Sequence, residues 1–153
     1  VQAEVVQPRQ LPDGLLEVFF PDQADADLFL LEIATYPDRR TEEQVIRDAT
    51  LVFTDRRLML EVISLVLRPH GTFRLTGAQQ LTSRLGTLEI TFKWRVIELW
   101  NVPAVDLLAA NDVGLVPWAT LAQFDGPPEV LIQQCRERID AQATAEEKRI
   151  CWP

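Results

Sequence analysis

The chain has 153 residues, 47% of them hydrophobic and 25% charged, with a mean hydropathy near zero. That is enough apolar material for a real core and too much for a disordered chain, while no apolar run approaches the ~18 residues that cross a bilayer. The formal net charge of −8 argues against a general electrostatic attraction to nucleic acid.

A local basic surface is still compatible with that charge. Arg39, Arg40, Arg47, Arg56 and Arg57 fall in one segment, and Lys93 and Arg95 in another. Cys135 and Cys151 are too few for a secreted disulfide framework, and no basic-then-apolar leader precedes the first elements. A soluble, cytoplasmic protein is expected. Because the chain begins at Val1 and its sole methionine is Met59, its first residue is not expected to be the native start.

In chain order, residues 1–10 carry too weak a pattern to assign. "GLLEVFF" (14–20) is rich in strand formers and stops at the turn pair Pro21-Asp22. "DLFLLEI" (27–33) is a second strand, its near-continuous apolar character predicting burial on both faces. The polar "PDQADA" between them serves as a hairpin loop. Thr41 followed by Gln44 three residues later forms a capping box. Val45, Ala49, Val52 and Phe53 then recur at helical spacing, predicting an amphipathic helix from about 42 to 56.

"MLEVISLVLRP" (59–69) is a third, buried strand, and strand, helix and strand in this order predict a βαβ unit. Thr72 to Gly86 is polar and irregular. "TLEITFKWRVIELW" (87–100) resumes strand character with a break near Lys93. A short helix over "PAVDLLAA" and a Gly/Pro-punctuated connection lead to a last helix from about Pro128, where Leu131, Cys135, Arg138 and Ile139 keep helical spacing into the charged "AEEKR". The fold class is α/β, in one domain spanning 1–153.

Most chemistries are excluded. The single histidine, His70, sits in the turn "RPHGTF", and neither Ser64 nor Ser83 lies in a GxSxG elbow. There is no Gly-rich phosphate loop, no CxxC and no calcium-binding loop. Cys135 lies on an apolar stripe and is expected to pack as a small hydrophobe. The four tryptophans, Trp94, Trp100, Trp118 and Trp152, are read as packing residues rather than base-stacking platforms.

Carboxylates remain. Alternation along the second strand puts Glu32 and Ala34 on one face and Phe29, Leu31 and Ile33 on the other. An isolated buried carboxylate is costly, so Glu32 needs a cation, a hydrogen-bond donor or an opening to water. Asp13 precedes the first strand, and hairpin pairing would bring it toward Glu32. Two converging carboxylates suit Mg²⁺, which takes oxygen ligands and keeps several waters. The bland alternative is a pair of acids that only solvate strand ends. Glu17 is expected to face solvent.

Pro-Asp, a strand, then Glu-x-x and a helix resembles the PD-(D/E)XK nuclease superfamily. More narrowly, "LPDGLLEVFF…DLFLLEIATYPDRRTEEQVIRD…EVISLVLRPHGTFRL" and the later "WRVIELWNVPAVDLLAANDVGLVPWATLAQFDGPPEVLIQQCRERI" resemble the Rpn-type family of recombination-promoting, transposase-associated nucleases, over roughly residues 9 to 140. The resemblance implies a restriction-endonuclease-like core, a central mixed sheet flanked by helices, with Mg²⁺- or Mn²⁺-dependent cleavage of DNA. It also implies that this chain is the nuclease-like part of a protein with a further helical C-terminal region.

Carried over by position, Asp13 and Glu32 are the metal ligands. The third position, normally lysine and in this family often glutamine, is Ala34, which can neither position a water nor neutralise a phosphate. Gln44, in the first turn of the expected helix, is the candidate replacement, ahead of Arg39, Arg40 and Arg47. Catalytic residues are thus Asp13, Glu32 and Gln44, with a homodimer suited to double-strand cutting. The alternative is a catalytically inactive nuclease fold that binds or assembles.

Overall fold

The computed structural model describes residues 12–21 and 25–147, so the N-terminal decapeptide, Cys151 and Trp152 lie outside the described residues. Strands β1 (Gly14–Val18) and β2 (Asp27–Ala34) lead into helix α1 (Arg39–Arg56) and strand β3 (Glu61–Val66). Strands β4 (Ala78–Thr82), β5 (Glu89–Lys93) and β6 (Arg95–Glu98) follow, then helices α2 (Ala104–Ala109) and α3 (Pro128–Gln142), with a 3-10 segment Val113–Leu121 between them. The central sheet is mixed, in the order β1-β2-β3-β6, and β4 and β5 form a separate two-stranded sheet. The chain is therefore α/β. Among the described residues no helix is long and apolar enough to cross a membrane.

Two compact units interleave along the sequence. The first comprises residues 1–34, 38–65 and 75–96, and the second 35–37, 66–74 and 97–153. In the first, β1 and β2 pair antiparallel from Gly14 opposite Leu31 to Val18 opposite Asp27. Full burial on β2 is reached at Leu30 and Glu32, which share one face, while Phe29, Leu31 and Ile33 are half-buried. Both faces of β2 are thus at least half-buried, as its apolar run implied, with the Leu30–Glu32 face closed more tightly than the other.

Helix α1 starts three residues earlier than the capping-box pattern suggested. Asp38, in extended conformation, is the N-cap, and its carboxylate accepts from the Thr41 amide (2.8 Å) and hydroxyl (3.1 Å). Thr41 is therefore inside the first turn, and Gln44 has no capping duty. The helix ends where Arg57 adopts the left-handed conformation and its amide bonds the Phe53 carbonyl. Its buried stripe is Thr41, Glu42, Val45 and Asp48, whereas Phe53 is exposed. Three of these four are polar, and apolar periodicity did not find them.

The stretch expected to be irregular contains β4. Its residues AQQLT carry no apolar alternation; what makes them a strand is pairing with β5, Ala78 opposite Lys93 through Thr82 opposite Glu89. The expected break falls at Trp94, whose amide bonds the Gly77 carbonyl at 2.9 Å. The third strand is shorter than the apolar run: Leu58 and Met59 are exposed, and pairing begins at Glu61.

The second unit has its own core, Ala104, Val113, Val116, Ala119, Leu131, Cys135 and Ile139. Cys135 is fully buried, its thiol meets the Val116 carbonyl, and burial pushes its pKa up, so it is a packed, unreactive group. Helix α3 stops at Gln142 rather than continuing into the charged segment. Thr144 and Glu147 exchange hydrogen bonds (2.7 and 3.3 Å), a capping box that opens a new helical turn. His70 is an exposed turn residue whose ring stands 5.5 Å from that of Tyr36.

Candidate active site

The β1–β2 register sets the site. Gly14 lies opposite Leu31, so the residue before it, Asp13, stands beside Glu32. The Asp13 carboxylate accepts from the Ile33 amide at 2.7 Å and closes the end of the hairpin ladder, while the residue itself stays exposed. Glu32 points the other way in solvent access: it is 5% exposed, on the face of β2 that also carries Leu30.

Helix α1 supplies the rest. Residues four apart on a helix share a face, so Gln44 and Asp48 present their side chains together. The Gln44 amide donates to Glu32 Oε1. Asp48, 1% exposed, accepts from Arg47 Nε at 2.9 Å on Oδ1. Two carboxylate oxygens, Glu32 Oε2 and Asp48 Oδ2, are buried with no hydrogen-bond partner.

The electrostatics follow from this crowding. Glu32 is pushed up to about 7, first by loss of water on burial and then by the negative charges of Asp13 and Asp48, against smaller opposing pulls from the Asp13 backbone N–H and then Arg47. At neutral pH it is poised between acid and carboxylate.

Asp13 and Glu32 thus stand side by side, with Gln44, the candidate replacement for the third position, bonded to Glu32. Ala34 takes no part. Glu17 is exposed, pairing opposite Leu28. The arginines do not form one patch: Arg39 and Arg40 lie at the start of α1 and Arg56 and Arg57 at its end, about 25 Å away along an 18-residue helix. Arg47 alone joins the acids. Asp48 was missed because an acid between Val45 and Val52 reads as a solvated helix position; its spacing of four from Gln44 was the available signal.

Among the described residues no group of three or more His, Cys, Asp or Glu side chains is arranged to hold a metal ion. A closed protein cage is therefore not what this site offers. Mg²⁺ does not require one, being bound through one or two carboxylates with waters completing its shell. Hard oxygen donors on Asp13 and Glu32, one of them a buried oxygen without a partner, fit that mode. In comparisons with known proteins, the chain matches no family model, no curated protein and no solved structure.

Proposed function

We propose that the chain is a PD-(D/E)XK-type nuclease of the Rpn kind, with a restriction-endonuclease-like core, or a weakened descendant of one. It would hydrolyse phosphodiester bonds of DNA with Mg²⁺ or Mn²⁺ held by Asp13 and Glu32. The observation carrying this reading is the juxtaposition of Asp13 with Glu32 across the β1–β2 hairpin, with Gln44 bonded to Glu32 from the helix that follows.

When bound, the dication would orient a water and neutralise charge gathering on the scissile phosphate. The protein's own groups prepare for that. The Ile33 amide fixes the Asp13 carboxylate, and Gln44 fixes one oxygen of Glu32. With its pKa raised to about 7, Glu32 is part protonated near neutrality, and a bound cation would favour its carboxylate form. Gln44 supplies an amide where the family pattern has a residue two beyond Glu32. An amide donates and accepts hydrogen bonds but takes no proton at neutral pH, so it positions groups without serving as a base. Slow cleavage is the consequence.

The second reading is a nuclease-like fold that binds or assembles without cutting. Ala34 and the net charge of −8 favour it. Cleavage of supercoiled and single-stranded DNA with Mg²⁺ and with Mn²⁺ decides between the two, comparing the wild type with Asp13→Ala and Glu32→Ala. The nuclease reading requires metal-dependent cutting that both substitutions abolish; activity surviving both belongs to another site or to a contaminant. Calorimetric titration with Mn²⁺ gives an independent answer, because no binding at millimolar metal leaves only the module.

A further inference from the structure

Strand β1 is one margin of the four-stranded sheet: β2 lies on one side of it, and among the described residues no strand lies on the other. The ladder decides which of its backbone groups face outward. The Ile33 N–H points to the β1 side, where the Asp13 carboxylate takes it. Bonded and non-bonded pairs alternate along an antiparallel ladder, so Leu31, Phe29 and Asp27 are the residues that exchange bonds with Gly14, Leu16 and Val18. Leu15 and Glu17 then turn their N–H and C=O groups away from β2. A row of unpaired groups of this kind is a template for another strand.

The side chains along this edge are apolar. Leu16 is 50% exposed and Phe19, just past the strand, 72%. On the helix-covered face a groove of about 400 Å³ runs between β1 and α1, with Pro12 and Leu15 on one wall and Leu51 and Val52 on the other. By strand alternation Phe19 stands on the same face as Leu15. A free β edge, an exposed aromatic ring and an apolar groove thus share one side of the first unit.

Pairing β1 with itself singles out a register. Outward-facing residues must meet outward-facing residues, so the two-fold axis of an antiparallel pair passes through a residue position. Centred on Glu17, the two Glu17 carboxylates oppose each other; centred on Leu15, Glu17 opposes Asp13. Like charges directly opposite are destabilising. Centred on Leu16, Leu15 exchanges backbone bonds with Glu17 of the second copy, Leu16 meets Leu16, and Asp13 meets Phe19. No acid then faces an acid. The same register brings Phe19 of the second copy, on the helix-covered face, to the mouth of the groove beside Pro12 and Leu15.

We infer that β1 pairs with β1 of a second copy of this chain, antiparallel about Leu16, each Phe19 closing the other copy's groove. The contact is isologous: one edge, one ring and one groove serve both copies, and the assembly closes at two. It holds whether or not the paired acids cut DNA.

The test is sedimentation equilibrium of the full chain over a concentration series, which should show a monomer–dimer equilibrium. Leu16→Lys, at a half-exposed position, sets two ammonium groups against each other and should leave monomer with an unchanged circular dichroism spectrum. Phe19→Ala, at a position too exposed to matter for folding, should weaken the dimer about tenfold or more. Cysteines then report the register, in a Cys151→Ser background where Cys135 is fully buried. Across the central, non-bonded pair the two Leu16 Cα atoms lie about 4.5 Å apart, so Leu16→Cys should link two copies on mild oxidation. The two Val18 Cα atoms lie about 14 Å apart in this register, and Val18→Cys should not link them. A chain that stays monomeric at every concentration overturns the inference, as does a dimer indifferent to Leu16→Lys or to Phe19→Ala. Linking of Val18→Cys as fast as Leu16→Cys also overturns it, because the strands would then meet in another register or not at all.

Discussion

Gln44 reaches from the second turn of α1 to donate its side-chain amide to the buried carboxylate of Glu32, tying the helix to the strand it covers. Gln44→Ala removes that donor and leaves both Glu32 oxygens buried without a partner. The expected cost is about 1–3 kcal/mol, the penalty for orphaning a buried acceptor. Urea unfolding measures it, and the loss should be larger at pH 8, where Glu32 is charged, than at pH 5. Equal losses at both values would mean that Gln44 only packs.

The pKa of Glu32 makes folding stability depend on pH in a defined direction. Its folded value, about 7, lies above its ordinary value of 4.5, with burial the leading cause and the charges of Asp13 and Asp48 next. The folded state therefore binds the proton more tightly than the unfolded chain does. This stabilisation is fully present below 4.5 and is lost as pH rises through about 7. The urea midpoint should fall between pH 5 and pH 8, and Glu32→Gln should flatten that fall. A wild-type curve level across the same range would contradict the assignment.

How far the sequence revealed these relations depends on whether a local pattern or a packed contact sets them. The meeting of Asp13 and Glu32 was legible, since two short strands joined by a polar loop bring residues before the first and within the second together. The cap of α1 was half legible: Asp38 with Thr41 and Thr41 with Gln44 are overlapping three-residue patterns, and only backbone conformation at Asp38 decides between them. Strand β4 was not legible, because AQQLT owes its conformation to pairing with β5. Nor was Asp48, whose burial is a property of the covered helix face.

Glu42 is a second buried acid on α1 with a role opposite to that of Glu32, for its oxygens are satisfied. Oε1 accepts from the Thr76 amide and hydroxyl (2.9 and 3.0 Å), and Oε2 from Gln79 Nε2 (3.2 Å). It anchors the chain entering β4 to the first turn of the helix. Glu42→Ala should cost about 2–4 kcal/mol, as several hydrogen bonds to one charged group are lost together. Amide exchange should quicken selectively over residues 76–82. Exchange that quickens uniformly would place the effect in global stability instead.

Two glycines in the same unit separate backbone strain from steric conflict. Both have left-handed φ, +64° at Gly77 and +72° at Gly86. A Cβ at Gly86 meets open space, whereas at Gly77 it would come within 2.8 Å of the Trp94 carbonyl oxygen. Gly86→Ala should cost about 1–2 kcal/mol from conformation alone. Gly77→Ala should cost clearly more, since backbone must move and the Trp94–Gly77 bond is strained. Thermal unfolding of the two variants checks the ordering, and a reversed order would place the β4–β5 connection differently.

Asp13 has two tasks that substitution can separate. Its carboxylate accepts from the Ile33 amide, a structural bond, and its charge raises the pKa of Glu32 and would hold a cation. Asp13→Asn keeps an oxygen acceptor for Ile33 but loses the charge; Asp13→Ala loses both. The asparagine variant should stay near wild-type stability and lower the Glu32 pKa, because the repelling neighbour is gone, while Mn²⁺ binding weakens by an order of magnitude or more. The alanine variant should weaken metal binding similarly and also destabilise the hairpin by about 1 kcal/mol. In the wild type, Mn²⁺ affinity should fall as pH drops below about 7, since the ion competes with the Glu32 proton. Calorimetry at pH 6 and pH 8, paired with carboxyl ¹³C titration of Glu32, reads these effects separately. Unchanged Mn²⁺ affinity in Asp13→Asn would remove Asp13 from the cation site while leaving its bond to the strand intact.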